Sequence, residues 1–153
     1  MSYRVAWVGC GRHAEQMLLP QLSRQDVELV AVCDLNEAAA TAIAKRYGVP
    51  RVVTDYRKLL EIADIDVVGM AAGPQQHRDI SIAAVQRGCH VFMEKPCGAN
   101  LADAQAIAAA ATSAGKTVGV GFMKRFSTAN RMAYNVVKSP EFGNVAGFFG
   151  EYM

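Results

Sequence analysis

No apolar run in this sequence reaches the roughly 18 residues that a membrane-spanning helix needs, so the expectation is a chain with no membrane segment. Charge of one sign is not in excess either. The formal net charge is +2, and the Lys and Arg residues are scattered rather than clustered, which gives no electrostatic footprint for nucleic acid. Cysteine is sparse: Cys10, Cys33, Cys89 and Cys97 lie far apart, with neither CxxC nor zinc spacing. Reduced thiols, no disulfide and no bound metal are therefore expected. The start shows no signal-peptide layout, so the expected compartment is the cytoplasm. Internal repeats and low-complexity segments are missing too.

What is present is ordinary for a globular chain. At 153 residues, 52% of them hydrophobic and 20% charged, there is enough material for one full-sized domain around a single core. Two periods alternate along it. Short β-branched apolar runs at 4–8, 27–33, 65–72, 90–93 and 117–121, with a weaker one at 51–53, suit parallel strands buried on both faces. Between them lie helix-length stretches with start and stop signals. Asn36 can cap a helix over 37–47, ended by Gly48 and Pro50. Asn100 and Asp103 form a near-capping box for the alanine-rich 101–114, stopped by Gly115. Pro74 and Gly88 bracket 75–87. This alternation predicts an α/β fold, a doubly wound parallel sheet with right-handed crossovers. After the last strand the pattern changes to one more helix over 126–138, broken by Ser139-Pro140 and Gly143. Residues 144–152 then alternate loosely, like a strand.

The first loop, Val8-Gly9-Cys10-Gly11-Arg12-His13-Ala14, fits G-x-G-x-x-A between a strand and a helix. Gly9 permits a tight turn, Gly11 lets the backbone approach a pyrophosphate, and Ala14 allows close packing of helix on strand. The diphosphate would rest on the free N–H groups of the helix start, including those of Arg12 and His13. A glycine turn with no ligand is the bland alternative, but the motif stands at the first strand–helix junction of an alternating chain. Asp34 ends the second strand, where a carboxylate can accept hydrogen bonds from a ribose and repel a 2′-phosphate. No Arg follows it, so NAD is favoured over NADP; the alternative is that Asp34 only helps to cap the next helix.

Two further loops belong to the same cleft. Ala72, Gly73 and Pro74 follow the fourth strand, and His77 falls in the first turn of the next helix, as a cofactor-lining residue or a structural one. Glu94-Lys95-Pro96 ends the fifth strand. A lysine there would point into the ligand crevice, where burying its charge is costly without a purpose, and it could exchange a proton with a substrate hydroxyl. A Glu94–Lys95 surface pair is the competing reading.

These pieces together resemble the N-terminal half of the glucose–fructose oxidoreductase and inositol dehydrogenase (Gfo/Idh/MocA) family. The matching segments are Gly9-Cys10-Gly11, Cys33-Asp34, Gly73-Pro74 with His77, Val91-Phe92-Met93-Glu94-Lys95-Pro96, and Val120-Gly121-Phe122-Met123-Lys124-Arg125-Phe126. The resemblance implies an NAD-binding Rossmann domain over 1–122 and a dehydrogenase that moves hydride between a sugar or polyol and nicotinamide. It makes Lys95 the catalytic lysine, with Glu94 its cofactor-side neighbour and a cis bond at Lys95–Pro96. Residues 121–125, with Met123 and Arg125 at the cofactor, would pass the nicotinamide and lead into a second domain. Members of that family are much longer, and their second α/β domain carries the partners of the lysine. Residues 123–153 would then be a linking helix and the first strand of a truncated substrate domain. The expectation is an NAD-binding chain that is inactive alone, its tail strand free to pair with another copy; a binding or assembly module without turnover is the alternative.

Overall fold

The protein is described by a computed structural model over residues 2–151. It divides into two units, Met1–Gly121 and Phe122–Met153. In the first, six strands form one sheet: β1 (Tyr3–Val8), β2 (Val27–Cys33), β3 (Val52–Val53), β4 (Val67–Met70), β5 (His90–Met93) and β6 (Val118–Val120). The order is β3-β2-β1-β4-β5-β6, every neighbouring pair parallel. This is the doubly wound sheet that the alternating pattern predicts, and its strand order reverses between β1 and β4.

Strand alternation divides the side chains between two cores. Ala6, Val8, Ala31, Cys33, Val68, Met70, Val91 and Met93 pack on one face with Leu59 and Leu60 of α3 (Tyr56–Leu60), Ile80, Ala84 and Val85 of α4 (Pro74–Gln86), and Ile107 and Ala111 of α5 (Leu101–Ala114). Trp7 and Val32 point to the other face, against Leu19 of α1 (Leu19–Leu22) and Ala40, Ile43 and Ala44 of α2 (Glu37–Tyr47). Both faces are covered, which is why consecutive strand positions are apolar. Each large side chain so buried contributes on the order of 1.5–3 kcal/mol.

Local chemistry sets the helix ends. Asn36 Oδ1 accepts from the Ala39 N–H at 3.2 Å, and α2 stops at Gly48 with φ 69. Asn100 Oδ1 accepts from the Asp103 N–H at 3.0 Å, while Asp103 Oδ2 accepts from the Ala99 N–H at 3.1 Å. The return bond therefore lands one residue earlier than in a true capping box. After β1 a π-helical turn, Ala14–Leu18, leads into α1, with the Leu19 N–H bonded to the Ala14 carbonyl. Pro20 accounts for the widening. It offers no N–H to the Gln16 carbonyl and its ring crowds that oxygen, so the turn takes an extra residue.

The second unit holds a 3-10 turn, Met123–Phe126, then α6 (Thr128–Lys138) and a second 3-10 turn, Pro140–Phe142. The helix expected over 126–138 starts later because Ser127 caps it, its Oγ accepting from the Asn130 N–H at 3.4 Å. The strand expected over 144–152 is corrected: residues 144–151 take no regular structure, and Tyr152 lies outside the described residues. A strand is held by its ladder with a neighbour, and the interspersed Gly147 and Gly150 weaken any local preference for extension. Phe148 and Phe149 are left 93% and 90% exposed.

Candidate functional site

The loops that follow β1, β2, β4 and β5 leave the sheet on the same side, beside the point where strand order reverses. Ligands of open α/β sheets sit in the crevice outside these carboxyl ends. The β1 loop is fixed first by Gly9, which takes φ +92; a Cβ there would lie 2.5 Å from the Ala71 carbonyl oxygen. Only glycine meets both demands. Its N–H donates to the Cys33 carbonyl at 2.8 Å.

The next peptide is held at both polar ends. The Gly9 carbonyl accepts from the Trp7 indole Nε1–H at 2.8 Å, and the Cys10 N–H donates to Asp34 Oδ2 at 2.7 Å. Asp34 Oδ1 also accepts from the Asn36 N–H at 2.8 Å. Asp34 thus braces the glycine loop as well as the start of the next turn, a task that its place at the end of β2 does not reveal in sequence. Gly11 differs from Gly9, because a Cβ added to it meets nothing within 4 Å. The chain's own packing therefore does not require glycine at that position. The first helical bond recorded after it runs from the Glu15 N–H to the Gly11 carbonyl at 3.0 Å. The N–H groups of Gly11, Arg12 and His13 precede that bond and have no partner within the helix, leaving donors free at its positive end.

Across the cleft, Glu94 extends β5. Its Oε1 lies 3.7 Å from His13 Nε2, and its Oε2 accepts from the Lys95 N–H at 3.2 Å. Gly121 gives it room, since a Cβ there would come within 3.2 Å of Glu94 Oε1. The Lys95–Pro96 bond is cis, as the resemblance implied. Lys95 itself is exposed, so the burial expected of it is not supplied by this chain's own residues. Among the described residues, no hydrogen bond or ion pair is recorded to its ammonium.

His77 is placed differently from a cleft-lining residue. It is fully buried, with Nδ1 2.7 Å from the Pro96 carbonyl oxygen and Nε2 3.0 Å from the Ala72 carbonyl oxygen. Its contribution to the site passes through those two carbonyls. Gly73 and Pro74 open α4 beside it, Pro74 at the first helical turn where a missing N–H costs nothing. Met123 and Arg125 lie in the second unit, on the turn Met123–Phe126.

All four cysteines are free thiols. Burial, reinforced by the Asp34 carboxylate, pushes Cys10 up to about 12 and Cys33 up to about 11. The two belong to opposite cores of the sheet. They are packing residues, far from nucleophilic at neutral pH.

The family model described as "Oxidoreductase family, NAD-binding Rossmann fold" (Gfo/Idh/MocA) matches residues 3–122. This chain belongs to that family. Inositol 2-dehydrogenase of Salmonella typhimurium is 34% identical over 119 residues, covering 76% of this chain and 35% of that protein. D-glucoside 3-dehydrogenase of Escherichia coli is 34% identical over 125 residues, 81% of this chain and 36% of the relative. Among solved structures, scyllo-inositol dehydrogenase from Lactobacillus casei, with bound NAD(H) and scyllo-inositol, superposes with a TM-score of 0.87 at 25% identity. It is covered over 43% of its length, and this chain over 94%. The Gfo/Idh/MocA chain described here therefore spans about a third of the length of these curated relatives.

Missed from sequence were Trp7 and the room that Gly69 makes for it. The available signal was the register of a large residue opposite a small one, Trp7 beside Gly69, and register is set by tertiary pairing.

Proposed function

We propose that this chain holds NAD through its glycine loop and that, within a protein of its relatives' length, the assembly oxidises a sugar or polyol hydroxyl. The observation that carries the reading is the contrast between the two loop glycines. Gly9 is required by the fold, whereas Gly11 opens onto empty space above the unpaired N–H groups of a helix start. Gly11, Arg12 and His13 would hold the diphosphate by their N–H groups, and the remaining lone pairs of Asp34 would accept from the adenosine ribose. Ala72, Gly73, Pro74 and Glu94 would line the nicotinamide side. When bound, the nicotinamide supplies the hydride acceptor. Lys95 would hold and pass the proton of the substrate hydroxyl at its Nζ, and Glu94 would orient the Lys95 backbone through their 3.2 Å bond. Titration of NAD into the purified chain by calorimetry tests the core of this reading, and absence of binding overturns it.

A second reading, an NAD-binding module without turnover, is favoured by the exposure of Lys95 and the lack of a recorded partner for its ammonium among the described residues. Orientation supplies a large share of a barrier reduction, and a lone exposed lysine orients nothing. The 153 residues by themselves should then bind NAD yet produce no NADH from inositols or sugars; ready turnover would discard this second reading. Cytoplasmic placement belongs to the same proposal, as does self-association through residues 144–151, supported by the exposed Phe148 and Phe149.

A further inference from the structure

Trp7 is the only tryptophan of the chain, and its polar atom is aimed at the loop just described. We propose that Trp7 is a positioning residue for the dinucleotide loop, its indole N–H locking the Gly9–Cys10 peptide in the orientation that presents the following N–H groups to a diphosphate. The inference rests on the dinucleotide reading above and deepens it.

The indole is 2% exposed, and its Cε3–Cζ3 edge lies against Gly69 of β4. Gly69, its register partner, makes this possible. A Cβ on Gly69 would come 2.4 Å from Trp7 Cε3 and 2.6 Å from Cζ3, so any other residue at 69 would displace the ring. Lying there, the ring brings Nε1 to 2.8 Å from the carbonyl of Gly9, two residues on and just past the end of β1. The N–H of that same peptide is held by Asp34 Oδ2 at 2.7 Å. One peptide plane is thus fixed at its oxygen by a residue of β1 and at its nitrogen by the residue after β2.

The lock has a functional consequence because the opposite orientation is harmful. A flip of the Gly9–Cys10 peptide would remove an N–H from Asp34 and turn a carbonyl oxygen, a partial negative charge, toward that carboxylate, forcing the loop and the N–H groups after it to shift. Glycine at position 9 makes such a flip sterically easy. Asp34 alone is a poor guard, since the same carboxylate is the group that would bond a ribose. The Trp7 donor holds the plane whether or not Asp34 is engaged elsewhere. Preorganisation of this kind raises affinity by removing an ordering cost at the moment of binding.

A buried indole N–H also needs a partner for its own sake, so the test must separate positioning from packing. Trp7→Phe keeps a ring over Gly69 and removes the donor; Gly69→Ala keeps the donor and displaces the ring. Both variants and the wild type are titrated with NADH and with adenosine, and the exchange of the Cys10 and Gly11 amides is followed by NMR. The expected result is about a tenfold loss of NADH affinity in each variant, the size of one net hydrogen bond. Adenosine binding should stay within about twofold; the Cys10 amide, bonded to Asp34, should exchange faster, while the already unbonded Gly11 amide should not change. In the wild type the single indole N–H resonance should be protected and should shift on addition of NADH, a readout that needs no variant to fold. A Trp7→Phe chain that binds NADH like the wild type, or an indole resonance that does not respond to saturating NADH, overturns the positioning role alone. A wild type that binds no NADH overturns the dinucleotide reading and this role with it.

Discussion

His77 Nδ1 lies 2.7 Å from the carbonyl oxygen of Pro96, nineteen residues away in sequence and on the loop after the neighbouring strand. Its other ring nitrogen reaches the Ala72 carbonyl at 3.0 Å. One fully buried imidazole therefore ties the loop that follows β4 to the loop that carries Lys95. Replacing it removes the ring's bonds to both carbonyls and empties a fully buried position. His77→Ala should destabilise the fold by about 2–3 kcal/mol and shift the midpoint of urea unfolding accordingly; a loss below about 0.5 kcal/mol would show that the clamp contributes little.

The loop glycines should separate stability from binding. Gly9→Ala places a side chain at φ +92 and against the Ala71 carbonyl, and should destabilise by at least about 1–3 kcal/mol from backbone strain alone. Gly11→Ala has open space, so its melting temperature should match the wild type while NAD affinity falls about tenfold or more. Thermal melts beside calorimetric titrations check the pair. Equal NAD affinity for Gly11→Ala and wild type would remove the diphosphate from this loop.

Cofactor choice should follow Asp34. The wild type is expected to bind NAD at least about tenfold more tightly than NADP, because a carboxylate repels the 2′-phosphate. Asp34→Asn keeps an acceptor for the Cys10 N–H and removes the charge, so the preference should narrow mainly through improved NADP binding. An unchanged ratio of the two affinities in Asp34→Asn would refute the assignment.

The buried thiols predict the alkaline side of the stability profile. Cys10 and Cys33 are held above their ordinary value of 9.0, at about 12 and about 11. The folded chain keeps its protons where the unfolded chain releases them, so stability is intact below pH 9.0 and falls as pH rises from there through 11 to 12. Urea midpoints measured from pH 8 to pH 10.5 should decline across that window, and Cys10→Ala should flatten the decline. Iodoacetamide at pH 8 should label Cys97 well before Cys10; equal labelling rates would contradict this burial.

The tail prediction concerns mass. If residues 144–151 bring copies together through Phe148 and Phe149, the intact chain should scatter light as a dimer or larger, and a version ending at Lys138 as a monomer. Identical monomeric masses would discard the association.

What could be read from sequence was what neighbouring residues decide. Asn36 and Asn100 cap helices through bonds spanning three residues, and Gly48 and Gly115 end them by their own φ. Residues 144–152 misled because alternation is necessary for a half-buried strand but the ladder comes from elsewhere. Ser127 was passed over although it can accept from the N–H three residues on. At the site, Gly9 and Asp34 were legible by position. Their coupling through Cys10 was not, nor was the burial of His77, because both depend on contacts across β1, β2, β4 and β5 that no local spacing encodes.

The pairing of Trp7 with Gly69 also constrains how this sequence can drift. A methyl group at 69 has no space while the indole is present, and a smaller residue at 7 leaves a void above a bare glycine. The two positions are energetic neighbours of the kind whose effects do not add. Substitutions there are consequently ordered: residue 7 must shrink before residue 69 can grow. The intermediate carries both an empty volume and a slackened loop, which makes the present combination hard to leave by single steps.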